Sequence, residues 1–109
     1  MNALTELFTL DRITLDNPSK SRAEVFAAVG ELFSQQAGLE ANAIVGFLNA
    51  REDLGSTALG AGVAIPHGRV KGLKQPIAAF VKLKDPIEFA APDGEPVSIL
   101  IFLLVPEKA

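Results

Sequence analysis

Apolar residues recur along this chain with two different periods, and the change comes at Gly55. Before it the period is helical. Val25, Val29, Leu32 and Phe33 share one helix face, and Ile44, Phe47 and Leu48 share another. The first run opens on Ser21-Arg22-Ala23-Glu24, a capping box in which a serine hydroxyl meets the first free amides and a glutamate follows three residues on. Gly38 supplies its C-cap. The second run predicts a helix from about Glu40 to Asp53, weakened at Gly46. Both stripes read as core. Upstream, Leu7, Phe8 and Leu10 lead into Ile13 and Leu15, which predicts a short strand or extended arm over residues 1–20, broken at Pro18.

After Gly55 the signals are strands and turns. Gly60 and Gly62 punctuate a small-residue segment, and Val63–Ile65 predicts a short buried strand. Ile77, Ala79, Val81 and Leu83 then alternate with Lys82 and Lys84, a half-buried strand. Asp85-Pro86 is expected to turn the chain, and Pro92-Asp93-Gly94-Glu95 is a second turn. Val97 to Val105, interrupted only by Ser98, predicts a buried strand ended by Pro106. The fold class is therefore α/β, two helices followed by a sheet. A strand as apolar as the last one needs cover on both faces, which two helices do not supply. Either the chain is a piece of a longer domain or a partner covers the second face.

Composition narrows the function. The 109 residues suit one domain spanning 1–109, and an apolar share of 49% gives it a real core. A net charge of −3 points neither to nucleic acid nor to an anionic membrane. The absence of cysteine removes disulfides, thiolate catalysis and the common zinc motifs, and fits a reducing cytoplasm. The N-terminus lacks the basic and apolar regions of a signal peptide. The longest apolar run falls short of the roughly 20 residues of a membrane helix, so no direct membrane insertion is expected. No metal or cofactor is called for. Proline at the middle position of Asn17-Pro18-Ser19 excludes glycosylation.

Candidate chemistry centres on His67, the only histidine, between Pro66 and Gly68. A neutral imidazole can act as a nucleophile near neutral pH. Its surroundings are basic: Arg69, Lys71, Lys74, Lys82 and Lys84 lie between Pro66 and Lys84, and no acidic residue does. A local positive field favours a dianionic phosphoryl donor. The lysines also read as a solvated strand face, and Arg69 fits either account. Pro66 stiffens the mount. Gly68 lets backbone amides approach an anion, or simply marks a turn. Other motifs fail. Gly60-Ala61-Gly62 lacks the third glycine of a dinucleotide fingerprint, and Ser56 lacks a nucleophile-elbow frame. Glu52 and Asp53 are adjacent, so they diverge on a helix and read as solvated.

Three segments together carry a resemblance: Arg51-Glu52-Asp53-Leu54-Gly55-Ser56-Thr57, Gly62-Val63-Ala64-Ile65-Pro66-His67-Gly68-Arg69, and Gly72-Leu73. They resemble the active-site signature of the enzyme IIA domains, fructose/mannitol class, of the bacterial phosphoenolpyruvate-dependent phosphotransferase system. Asp93-Gly94-Glu95-Pro96-Val97 and Leu103-Leu104-Val105-Pro106 are similar to later parts of that family's pattern. Within the family, the nitrogen-regulatory branch is the more similar. The resemblance implies a mixed β-sheet flanked by helices. It implies that His67 accepts a phosphoryl group, through Nε2, from a histidine-phosphorylated carrier protein of the HPr or NPr kind. Arg51 matches the arginine that stabilises the phosphate, and Ser56 and Thr57 match positions lining the site, where their hydroxyls either bond imidazole and phosphate or cap local backbone. Family members continue into further helices bearing a second histidine, so the chain is expected to be C-terminally truncated relative to them. The implied function is a cytoplasmic phosphocarrier that regulates target proteins by its phosphorylation state. The rival readings are a sugar-specific enzyme IIA serving a membrane permease and an interaction module whose histidine does not turn over.

Overall fold

The computed structural model describes residues 12–107. Leu7, Phe8 and Leu10, and with them most of the expected N-terminal arm, lie outside the described residues. Chain order is β1 (Ile13–Asn17), α1 (Arg22–Ala37), α2 (Ala41–Asp53), β2 (Ala58–Gly60), β3 (Val63–Ala64), β4 (His67–Val70), β5 (Ile77–Ile87) and β6 (Val97–Pro106). The strands form one mixed sheet in the order β1-β5-β6-β3-β2, with β4 also paired to β6. The expected α/β class, with a mixed sheet and two helices, is what forms.

The caps explain where the first helix begins and ends. Ser21 accepts from the Glu24 amide at 3.2 Å. Gly38, at φ 72°, turns left-handed and donates its amide to the Ser34 carbonyl at 3.0 Å. The Glu24 carboxylate reaches back to the Lys20 amide at 3.2 Å, one residue earlier than a standard capping box. Helix α2 runs as expected to Asp53, although its N-cap Glu40 makes no side-chain cap bond. The helices approach closely at Gly30, where an added Cβ would lie 2.9 Å from Val45 Cγ2.

Both helices bury their stripes on one face of the sheet. Val25, Phe26, Val29, Phe33, Ile44 and Leu48 join Ala79, Val81, Leu83, Leu100, Phe102 and Leu104 in a single core. Phe26 meets Phe102 edge-on at 5.7 Å and Phe89 at 6.2 Å between ring centroids. The alternate residues of β6, Ile99, Ile101, Leu103 and Val105, lie on the other face and are only half-buried. Cover on a single face, expected from the pattern, is therefore what the described helices provide. None of those helices is long and apolar enough to cross a membrane.

Two expectations change. Asp85-Pro86 does not turn the chain. Strand β5 runs straight through it, and its register with β6 jumps from Lys82 opposite Ile99 to Ile87 opposite Val97. Proline has no amide to give a ladder, so a bulge is where a strand tolerates it. Lys20 Nζ, 2.7 Å from Asp85 Oδ2, ties that bulge to the entrance of α1. His67-Gly68 is not a turn either. It opens β4, which runs parallel to β6 with His67 beside Leu103 and Arg69 beside Val105. Strands β3 and β4 are one line alongside β6, interrupted at Ile65-Pro66, and the Pro66 carbonyl still accepts from the Leu103 amide at 3.0 Å. The turn at 92–95 does form, with the Gly94 amide donating to Ala91 at 3.0 Å.

Candidate functional site

Strand β4 sets the orientation of His67. Side chains alternate along a strand. Gly68 and Val70 therefore point toward α2, and His67 and Arg69 point to the opposite face. A Cβ on Gly68 would stand 3.4 Å from the Phe47 carbonyl oxygen, at the limit of ordinary contact. The glycine thus lets α2 lie close against β4. The expected turn gives way to a strand position whose missing Cβ serves helix–strand approach.

That approach brings the end of α2 to the imidazole. Arg51, in the last turn of the helix, donates from Nε to His67 Nε2 at 3.2 Å. The same guanidinium donates from Nη1 to the Gly55 carbonyl at 2.8 Å. On the other side of the ring, His67 Nδ1 lies 2.9 Å from the Ile65 carbonyl oxygen. A carbonyl only accepts, so Nδ1 carries the proton. Nε2 then holds the lone pair that receives the Arg51 donor. The ring is thereby fixed as a neutral tautomer with one nucleophilic nitrogen, aimed at a cation. Half-buried His67 remains open to a partner on the sheet face with less cover.

Gly55 carries the arginine's anchor in an unusual backbone conformation. Its φ of 150° lies where side-chain-bearing residues are rarely found. In that conformation the turn from Leu54 to Thr57 presents the Gly55 carbonyl to Arg51.

The hydroxyls expected at the site face elsewhere. Ser56 Oγ donates to the Phe89 carbonyl at 3.2 Å and accepts from the Ala58 amide at 3.1 Å. Thr57 Oγ1 donates to Glu52 Oε1. Ser56 takes the local-capping alternative at Ala58, whereas Thr57 bonds a buried side chain, and neither hydroxyl bonds His67. Arg69 is exposed two residues along β4, on the face His67 shares. Lys71, Lys74, Lys82 and Lys84 are exposed, the last two on β5 beyond the central strand.

Glu52 is the residue the sequence reading missed. Read as solvated, it is 6% exposed. Its Oε2 accepts from the Thr57 amide at 3.2 Å, and its Oε1 takes the Thr57 hydroxyl. Asp53 beside it is exposed, as expected. The signal was available: Ile44, Leu48 and Glu52 fall at intervals of four and continue one buried stripe.

Two pKa values are moved among the carboxylates near these loops. Hydrogen bonds from the Ala61 and Glu95 amides hold Asp93 below its usual 3.8. The hydrogen bond from Lys20 does the same for Asp85.

Residues 6–109 match the family described as phosphoenolpyruvate-dependent sugar phosphotransferase system, EIIA 2. The chain is 40% identical over its whole length to a nitrogen regulatory protein of Pseudomonas aeruginosa, and spans 71% of that protein. It is 37% identical, over 92% of its length, to the nitrogen regulatory protein of Bradyrhizobium diazoefficiens, of which it spans 63%, under two thirds. In structure it is similar to the nitrogen regulatory protein IIA-Ntr of Neisseria meningitidis, with a TM-score of 0.95 at 44% identity, over 99% of this chain and 74% of that one. A TM-score of 0.78 at 21% identity to the IIA mannitol protein of Escherichia coli supports the fold alone. With a family match over nearly all of its residues and relatives at such identity, the chain belongs to the EIIA 2 family of the phosphoenolpyruvate-dependent phosphotransferase system.

Proposed function

We propose that the chain is a phosphocarrier of the nitrogen-related phosphotransferase system that takes up a phosphoryl group on Nε2 of His67. The observation that carries this reading is the pair of contacts on one ring: Arg51 Nε at 3.2 Å from Nε2 and the Ile65 carbonyl at 2.9 Å from Nδ1. One holds the lone pair outward, and the other keeps the proton away from it.

The donor is a phosphohistidine on a carrier protein of the HPr or NPr kind. The Nε2 lone pair forms the new N–P bond as the donor's N–P bond breaks, its electron pair returning to the donor ring. The proton stays on Nδ1, bonded to the Ile65 carbonyl. Arg51 offsets the charge spread over the transferred oxygens, and its planar donors suit such a group better than a lysine would. The phosphorylation state of His67 then alters the binding of regulatory targets in the cytoplasm. The relatives at 37% to 40% identity favour regulation over sugar transport, since both are named nitrogen regulatory proteins.

The test is radiolabel transfer from phosphoenolpyruvate through enzyme I and a carrier protein. Acid-labile, alkali-stable label is expected on the wild type and none on His67→Ala. Label retained by His67→Ala moves the site elsewhere. A folded wild type that takes no label favours an interaction module.

A further inference from the structure

Two lines of hydrogen bonds run outward from the His67 ring, and both end on the same residue. From Nδ1, the line passes to the Ile65 carbonyl at 2.9 Å. The Ile65 amide donates to the Thr57 carbonyl at 3.1 Å, and Thr57 gives its own amide, at 3.2 Å, and its hydroxyl to the Glu52 carboxylate. From Nε2, the line passes to Arg51 at 3.2 Å and on to the Gly55 carbonyl at 2.8 Å. The Gly55 amide donates to the Glu52 backbone carbonyl at 3.0 Å. Glu52 thus closes the turn 54–57 with its main chain at one end and its side chain at the other.

We infer that Glu52 is a positioning residue for His67, which through Thr57 and the turn 54–57 holds both the carbonyl that fixes the imidazole tautomer and the carbonyl that anchors Arg51. The inference rests on the proposed role of His67, but its geometric part stands apart from it.

Glu52 touches neither ring nor phosphate. It occupies a buried helix position one turn on from Leu48, in line with the apolar stripe. A carboxylate there has a cost that only its two donors offset. Both donors belong to Thr57. Serine at 57 would keep them; valine would keep the shape and lose the hydroxyl. Glutamine at 52 keeps one acceptor oxygen for the Thr57 amide and an amide group for its hydroxyl.

The experiment joins ¹⁵N NMR of the His67 ring with phosphoryl uptake from phosphorylated carrier, in Glu52→Ala, Glu52→Gln, Thr57→Val and Thr57→Ser. In Glu52→Ala the share of ring carrying its proton on Nε2 is expected to rise, and uptake to fall by about tenfold to a hundredfold, the scale set by misplacement of a reacting group. Glu52→Gln and Thr57→Ser are expected to restore most of both. A folded Glu52→Ala with wild-type tautomer and wild-type uptake overturns the inference. Should Glu52→Ala fail to fold, Thr57→Val decides: a tautomer shift reversed by Thr57→Ser supports it, and an unmoved tautomer overturns it. A wild type that takes no phosphoryl group defeats the role of His67 alone, since the tautomer still reports on Glu52.

Discussion

Arg51 shows what one side chain contributes that charge alone does not. Its guanidinium bonds two acceptors at once, His67 Nε2 and the Gly55 carbonyl, from different nitrogens of one plane. Lysine brings a single ammonium and cannot span both. Arg51→Lys is therefore expected to fold normally and to accept phosphate more slowly by about a hundredfold, the usual cost of one preorganised donor. Rapid-quench transfer from the carrier measures it, and an unchanged rate would mean that the positive charge suffices. His67 and Arg51 were legible because each carries its chemistry in its side chain and stands in a specific motif. Glu52 is less legible: adjacency to Asp53 predicts only that the two diverge, and it takes the spacing of four from Ile44 and Leu48 to say that Glu52 is the one turned inward. Ser56 and Thr57 matched site positions, yet their hydroxyls satisfy Phe89 and Glu52. Which acceptor a hydroxyl finds depends on tertiary neighbours that no motif encodes.

Between elements, the loops around the site are tied by Asp93. Its Oδ2 accepts from the Ala61 amide at 2.9 Å, and its Oδ1 from the Glu95 amide at 3.0 Å. One carboxylate so joins the 92–95 turn to the β2–β3 hairpin. The hairpin needs the help: Ala61, at φ 55°, and Gly62, at φ 82°, are both left-handed, the pattern of a two-residue hairpin loop in which alanine is unfavourable. Because the folded pKa of Asp93 lies below its ordinary 3.8, its stabilisation is fully present above that value. It is lost as pH falls through the lowered one. Asp93→Asn is thus expected to melt below the wild type at neutral pH, with the gap closing well below pH 3.8. Thermal melts at the two pH values check it; a gap that persists in acid would deny the carboxylate its part. The helices and this turn could be read in advance, since caps and turn residues act locally. Strand β4 could not: Pro66-His67-Gly68 has the composition of a turn, and only its pairing with β6 makes it a strand. Asp85-Pro86 has the composition of a turn for the same reason, since a bulge is defined by the opposite strand.

At the scale of the whole molecule, the sheet divides its labour between faces. Leu104 and Leu103 are neighbours on β6 and point opposite ways. Leu104 is fully buried in the core beneath the helices, while Leu103 is half-buried and stands in register with His67 on the other face. The strand's continuous apolar run announced its burial, but both sets of alternate positions are apolar, so the pattern could not say which set meets the helices. The structure answers that, and with it the place of the nucleophile: His67 belongs to the face the described helices leave open. The energetic difference is measurable in a matched pair. Leu104→Ala removes side-chain volume from a closed core, for which about 2–5 kcal/mol is usual. Leu103→Ala removes the same atoms from a surface already partly wet. It leaves no cavity and forfeits only part of the transfer free energy, about 1 kcal/mol. Urea unfolding of both variants against the wild type reads the two losses directly. Equal losses would mean that the face carrying His67 is as firmly covered as the one beneath α1 and α2, and a partner would then have to uncover it to reach the imidazole.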